Sequence, residues 1–204
     1  MDIGLDRLNS LLLEMATTSE NAVALAIDAY ETGGKGTQVR DWVERLQVLH
    51  HQVSELTMEV IARYQPVASD LRLLKACFEI SYGFFRFGRY AKDIVEVLDM
   101  FGDLRNCDHS AVAETAKKTQ EMIRMSITAF ASRDVVLARK IPEMDNFVDE
   151  HYRKNLQEMM ERKGDLRCSM SATLILRYLE RIADHATYIA ESVDYIVTGV
   201  EPQG

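Results

Sequence analysis

The fold of this chain is decided by the stretch Leu176-Arg177-Tyr178-Leu179-Glu180-Arg181-Ile182-Ala183-Asp184-His185-Ala186. It lies within a series of apolar residues whose spacing alternates between four and three: Ile175, Leu179, Ile182, Ala186, Ile189, Val193 and Ile196. This spacing places apolar side chains along one face of a long helix that packs against other helices. Glu180 and Asp184 each follow one of these residues, so they should share one flank beside the core.

The composition is typical of a helical protein. Of the 204 residues, 47% are hydrophobic and 27% charged, and the 3 prolines and 10 glycines leave room for long helices. The net charge of −8 argues against a general nucleic-acid binder. No apolar run reaches the roughly 18 residues of a membrane span, and the start of the chain lacks a signal-peptide pattern.

The three cysteines, Cys77, Cys107 and Cys168, are odd in number and isolated in the sequence. Such a set implies no disulfide framework. We therefore expect reduced cysteines and a cytoplasmic protein.

Helical periodicity predicts six helices and no strand, and therefore an all-α fold. The helices are expected over about 5–31, 38–64, 66–101, 110–131, 134–162 and from a turn at 163–165 to 198. Pro66 should begin the third helix, Asp134 should cap the fifth, and Gly199 should follow the sixth. Pro142 should lie in the early turns of the fifth helix or kink it.

The chain contains an internal repeat at an offset of 95 residues, which places Asp70-Leu71-Arg72 on Asp165-Leu166-Arg167. Further identities at this offset pair Ile80 with Ile175, Arg86 with Arg181, Ala91 with Ala186, Ile94 with Ile189, Glu96 with Glu191 and Asp99 with Asp194. The repeat predicts two tandem three-helix bundles, over residues 1–106 and 107–204. Because the connections are short, neighbouring helices should be antiparallel.

Two pairs of acidic residues should converge in the second bundle. If the fifth and sixth helices form a hairpin centred near Gly164, Asp145 is level with Asp184 and Asp149 is level with Glu180. Four converging carboxylates require a counter-charge. Spacing leaves two sources open, a hard cation or the side chains of Arg153, Arg177 and Arg181.

Three segments resemble the PhoU-like family of phosphate-uptake regulators. The segment Gln65-Pro66-Val67-Ala68-Ser69-Asp70-Leu71-Arg72-Leu73 resembles the family's QPxASDLR segment, and Arg177-Tyr178-Leu179-Glu180-Arg181-Ile182-Ala183-Asp184-His185-Ala186 resembles its LERIGDHA-type segment. Tyr195-Ile196-Val197-Thr198-Gly199 matches its usual ending. The resemblance covers nearly the whole chain.

The resemblance implies a six-helix protein of two similar bundles, in which E/DxxxD motifs hold metal clusters on the surface. Iron, zinc, nickel, manganese and magnesium are associated with the family. Carried over by motif, the expected metal ligands are Asp145, Asp149, Glu180 and Asp184. The first bundle departs from the pattern, because its corresponding residues are Val43, Gln47, Phe85 and Arg89, which cannot hold a hard cation.

An unusually aromatic stretch surrounds the degenerate motif: Tyr82, Phe84, Phe85, Phe87 and Tyr90. These rings fit either packing between the bundles or an exposed docking surface, since aromatic residues and arginine are enriched at interfaces. The candidate docking residues are Tyr82, Phe85, Arg86 and Arg89. His50 and His51 are expected at the surface, and His185 is expected to be packed or to face solvent.

The sequence favours a regulator without catalytic activity. It lacks a nucleotide-binding loop and an evident catalytic nucleophile. The resemblance implies action in the cytoplasm on the ATPase of a phosphate ABC transporter and on its sensor histidine kinase. Contact with a membrane would then occur only through these partners, nucleic acid would not be bound, and a homodimer is left open. The alternatives are a carboxylate-metal-dependent phosphohydrolase and a diverged, metal-free scaffold paralogue.

Overall fold

The computed structural model describes residues 2–161 and 165–201. Its helices are α1 (Asp2–Thr32), α2 (Gln38–Tyr64), α3 (Ala68–Phe101), α4 (Ser110–Ser132), α5 (Val135–Ala138), α6 (Ile141–Glu161) and α7 (Leu166–Thr198). Over the described ranges there is no strand, so the all-α prediction is confirmed. None of these helices is both long and apolar enough to cross a membrane.

Most predicted helix ends lie within a few residues of the observed ones, and two differ for local reasons. Helix α3 begins at Ala68, not at Pro66, because Gln65 leaves α2 in a left-handed conformation and Val67 is extended. The residue before a proline is disfavoured in a helix, which accounts for the end of α2 at this point. Pro66 therefore lies in the connection.

The predicted fifth helix is in fact two helices. Asp134 caps α5, because its carboxylate accepts a hydrogen bond from the backbone N–H of Leu137. Pro142 then occupies the first turn of α6, where its missing N–H leaves no helical hydrogen bond unmade. The predicted turn residues Lys163 and Gly164 lie outside the described residues.

Helices α3 and α7 are the two central elements. Helix α3 packs against α1, α2 and α7, whereas α7 packs against α3, α4 and α6. The two helices run antiparallel, since Lys75 near the start of α3 lies against Tyr195 near the end of α7. Farther along, Tyr90 stacks on Tyr178. The arrangement gives two three-helix units, α1–α2–α3 and α4–α6–α7, as the internal repeat predicts.

One hydrophobic core runs through both units. The apolar face predicted for α7 is buried from Ile175 to Val193, and only Ile196 at its end is partly exposed. The division at residues 106 and 107 stays a prediction, because the two units share this core.

The prediction that Cys107 and Cys168 are reduced is wrong. Their sulfur atoms form a disulfide, with the Cα atoms 5.5 Å apart and a sequence separation of 61 residues. Cys107 lies in the connection between α3 and α4, and Cys168 lies in the first turn of α7. The bond therefore ties the connection between the units to the start of α7, while Cys77 is a buried free thiol.

Candidate functional site

The α6–α7 hairpin brings four carboxylates together. Asp145 and Asp149 lie one turn apart on α6, and Glu180 and Asp184 lie one turn apart on α7. The negative charges of the other three carboxylates all act on Asp145. We call these four residues the acidic cluster.

Partial burial and mutual repulsion perturb the acidic cluster. Burial, followed by the charges of Asp184, Asp149 and Glu180, raises the pKa of Asp145 to about 6. Burial is also the main cause of the raised pKa of Glu180 and of Asp184. The acidic cluster therefore holds more negative charge than its partly buried surroundings readily solvate.

Arginine side chains neutralise part of this charge. The hydrogen bonds are Arg153 Nη2 to Asp149 Oδ2 at 3.0 Å, Arg177 Nη1 to Glu180 Oε1 at 2.6 Å, and Arg181 Nη1 to Asp184 Oδ2 at 3.3 Å. The guanidinium of Arg177 also lies over the ring of Tyr152, at 5.5 Å from its centroid. The structure thus shows the arginine–carboxylate ion pairs, which the sequence left open as an alternative to a metal ion.

Two carboxylate oxygens of the cluster lack hydrogen-bond partners. Asp145 Oδ1 and Glu180 Oε2 are buried without a hydrogen bond, although Arg181 Nε lies 3.7 Å from Glu180 Oε2. Glu180 is only 9% exposed, so the prediction that it flanks the core is wrong for this residue. Helix α6, which packs on α7, and the guanidinium of Arg177, which pairs with Glu180, shield this carboxylate from solvent.

The donor set fits a hard cation in type and number, because it consists of four carboxylates, two of whose oxygens are buried without a hydrogen bond. In their present positions, no three His, Cys, Asp or Glu side chains within residues 2–161 and 165–201 are arranged to hold a metal ion. Metal binding at the cluster therefore requires the arginines to move. Arg153 has 74% of its side chain exposed and is free to do so.

The corresponding region of the first unit has a different chemistry. Val43 is buried, and the half-buried ring of Phe85 stacks on His50 at 5.6 Å. His50 Nδ1 lies 3.0 Å from Ser81 Oγ, and burial, followed by the charge of His51, lowers the pKa of His50. His50 is thus only partly exposed, whereas His51 is exposed as predicted.

The aromatic stretch of α3 serves both packing and the surface. Phe84 and Phe87 are fully buried and Tyr90 is nearly so, whereas 44% of Tyr82 is exposed. Arg89 is exposed, and Phe85 and Arg86 are half-buried. The candidate docking residues thus lie along the outer side of this stretch.

Arg86 and His185 are fixed within this aromatic surface. The guanidinium of Arg86 lies 4.5 Å from the centroid of the Tyr90 ring and donates a hydrogen bond to the Tyr90 hydroxyl. His185 packs against the rings of Tyr82 and Tyr90. Burial, followed by the charges of Arg86 and Arg181, lowers the pKa of His185 to about 4. This histidine is therefore a neutral packing residue near pH 7.

Sequence reasoning missed a groove between α3 and α7. Its lining includes Tyr188, Glu191 and Tyr195 from α7 and Lys75 and Glu79 from α3. The available indication was the spacing of the three α7 residues, which places two tyrosines and a carboxylate on one helix face. Because the apolar residues of α7 form the stronger sequence pattern, this second helix face was not singled out from the sequence.

Comparisons with known proteins agree with the fold. The PhoU domain model matches residues 12–98 and 112–193, one match in each unit. A phosphate-specific transport system accessory protein PhoU homolog from Pseudomonas putida is 30% identical over 97% of this chain and 80% of its own length. The crystal structure of PhoU from Pseudomonas aeruginosa has a TM-score of 0.90 at 30% identity, covering 98% of this chain and 99% of that one. A PhoU from Streptococcus pneumoniae, titled a phosphate transport system regulatory protein, shares the fold at 18% identity, with a TM-score of 0.89 over 99% of both chains.

Proposed function

Because this chain belongs to the PhoU domain family, we propose that it regulates phosphate transport by binding other proteins. The observation that carries the proposal is the family match in both halves of the chain. The proposed partners are the ATPase of a phosphate ABC transporter and the sensor histidine kinase that responds to phosphate. The names of the relatives, which describe accessory proteins of a phosphate-specific transport system, support a partner that belongs to the transporter.

The proposed docking surface consists of Tyr82, Phe85, Arg86 and Arg89. Its support is the combination of an exposed ring with an exposed guanidinium beside a rigid, buried part of α3. Fixed aromatic and arginine side chains are the usual anchors of protein interfaces. Arg86 is held by Tyr90, so Arg89 is the residue best exposed for an ion pair with a partner.

Charge reversal at Arg89 tests this surface. We expect Arg89→Glu to weaken binding to the purified ATPase by about tenfold at low salt and by less at high salt, since exposed charges are screened. Arg63→Glu makes the same charge change at an exposed position at the end of α2 and should bind normally. Equal binding by both variants and the parent would place the docking surface elsewhere.

We further propose that a divalent cation binds at the acidic cluster and displaces Arg153, Arg177 and Arg181. Iron, zinc, manganese, nickel and magnesium are the candidates. The bound cation would change the charge and shape of the α6–α7 surface without entering a reaction. The buried Asp145 Oδ1 and Glu180 Oε2 support this proposal, because neither accepts a hydrogen bond and a cation would satisfy both.

Metal content tests the cation site. Protein purified without chelator should contain metal, and the double substitution Asp149→Ala with Glu180→Ala should remove it. The control, Glu143→Ala with Glu150→Ala, deletes two exposed carboxylates from α6 and should retain it. Undiminished metal in the first variant, measured by elemental analysis, would contradict the assignment.

The same preparations test the enzyme alternative. If metal-loaded protein hydrolyses phosphate esters at enzyme-like rates, and Asp145→Asn abolishes that hydrolysis, the binding proposal gives way to a phosphohydrolase. We expect no such turnover.

A further inference from the structure

The groove between α3 and α7, with a volume of about 240 Å³, combines aromatic rings with carboxylates. Tyr188, Glu191 and Tyr195 follow one face of α7, and Lys75 and Glu79 lie opposite on α3. We call these five residues the tyrosine groove. Tyr188 is 54% exposed, which is unusual for so large a ring beside two packed helices.

One side chain of the protein itself already shows what this groove accepts. The ammonium of Lys75 lies over the ring of Tyr195, 4.8 Å from its centroid, and pairs with Glu201. A cation over an aromatic face is attracted by the ring's negative quadrupole. In the described part of the chain no lysine or arginine lies over the ring of Tyr188. The ring contacts His185, with 5.5 Å between the ring centroids, and 54% of Tyr188 is exposed, so part of the ring surface is accessible to a cation from outside.

The field around Tyr188 is negative. The charges of Asp184 and Glu191 act most strongly on its hydroxyl, followed by the opposing charge of Arg181 and then by the charge of Asp145. Lys75, the cation that lines the groove, is paired with Glu201. Glu79 adds another exposed carboxylate across the groove. A positively charged group would therefore be drawn to this ring, and the whole chain carries a net charge of −8.

The internal repeat shows that helix packing does not require these tyrosines. At the offset of 95 residues, Tyr188 corresponds to Asp93 and Tyr195 corresponds to Met100. Both lie on α3, which packs against α7 along the same antiparallel contact. The repeat keeps the carboxylate, since Glu191 corresponds to Glu96. One half of the contact thus has two tyrosines, and the other half has none at the corresponding positions.

We propose that the tyrosine groove binds an arginine side chain of a partner protein, with the guanidinium stacked on Tyr188 and hydrogen-bonded to Glu79 and Glu191. Arginine fits better than lysine, because its planar guanidinium stacks on a ring while its N–H groups reach carboxylates. The proposal rests on the proposed function, since it assigns to one groove the chemistry of a docking partner.

The test uses the full chain and a capped peptide in which two arginines are spaced by serine and glycine. Backbone amide NMR should show saturable shifts near Tyr188 and Glu191 at low ionic strength. Tyr188→Ala should weaken binding by about fivefold or more, whereas Tyr188→Phe, which keeps the ring, should retain it. A peptide with citrulline in place of arginine keeps the shape but loses the charge, and it should bind about tenfold more weakly.

The matched control comes from the repeat. Glu191→Gln and Glu96→Gln remove the same charge at corresponding positions, so bulk electrostatics should affect both equally. Selective weakening by Glu191→Gln supports the groove. Equal weakening by both variants, no saturable binding by the parent, or undiminished binding of the citrulline peptide each overturns it. If the peptide fails while the transporter ATPase still binds through Arg89, only this inference falls and the proposed function stands.

Discussion

Asp145 carries the carboxylate with the least favourable surroundings in the acidic cluster. Three other carboxylates act on it, and its Oδ1 atom is buried without a hydrogen-bond partner. Within residues 2–161 and 165–201 no arginine is hydrogen-bonded to it, in contrast to Asp149, Glu180 and Asp184. When ionised, Asp145 therefore lowers the stability of the folded state and adds to the local concentration of negative charge.

The stability cost at Asp145 should depend on pH. Its folded pKa of about 6 lies above the ordinary aspartate value of 3.8, so its contribution to stability falls as the pH rises through about 6. In protein stripped with chelator, Asp145→Asn should therefore raise the melting temperature more at pH 7.5 than at pH 4. Differential scanning calorimetry measures both, and Glu150→Gln, at an exposed position on α6, serves as the control. A gain that is equal at both pH values would contradict the raised pKa.

At the scale of helices, α3 is packed closely on two sides. A Cβ atom added at Gly88 would clash with Cδ1 of Leu46 on α2, and one added at Gly83 would lie 2.8 Å from Ile189 on α7. Both glycines have ordinary helical backbones and are needed for space. They let α3 approach a helix of its own unit and a helix of the other unit at once.

This close approach decides the effect of Gly88→Ala. Alanine gains up to about 1 kcal/mol of helix propensity over glycine, but overpacking of a buried contact costs about 1–3 kcal/mol. Since Leu46 is fully buried, the cost should prevail, and the melting temperature should fall by a few degrees. Adding Leu46→Val should recover part of this loss, because the clashing methyl group is gone. Strictly additive losses in the double variant would show that the two side chains do not meet.

Helix periodicity explains why so much of these elements could be predicted. The buried face of α7, the ends of α2 and the facing acidic pairs all follow from positions along regular helices. Helix periodicity does not determine which partner each charged side chain contacts. Arg177 and Arg181 could reach several partners, so spacing alone could not decide between ion pairs and a metal site.

At the scale of the whole molecule, contacts between distant segments were the least predictable. Cys107 lies in an irregular connection, where no periodicity fixes its position relative to Cys168 on α7. The repeat predicted two tandem units but not how they pack together. A single core joins them, because α3 and α7 pack against each other. The disulfide adds a covalent tie between the connection and the second unit.

The disulfide should make a measurable contribution to the stability of the whole molecule. Its two cysteines are 61 residues apart, and closing a loop of that size removes about 4 kcal/mol of chain entropy from the unfolded state. For a chain of this length the loss corresponds to roughly 10 °C in melting temperature. Reduction should therefore lower the melting temperature by about that amount, as followed by circular dichroism with and without reductant.

The double variant Cys107→Ser with Cys168→Ser separates this effect from other actions of the reductant. It should melt at the temperature of the reduced parent, and reductant should not change it further. Cys77 is buried in the core and should stay reduced in both proteins, so a thiol count should report one free cysteine in the oxidised parent. If the oxidised parent, with its bond verified by mass spectrometry, melts at the same temperature as the double variant, the bond closes a loop that is already ordered in the unfolded chain. In that case the shared core alone holds the two units together.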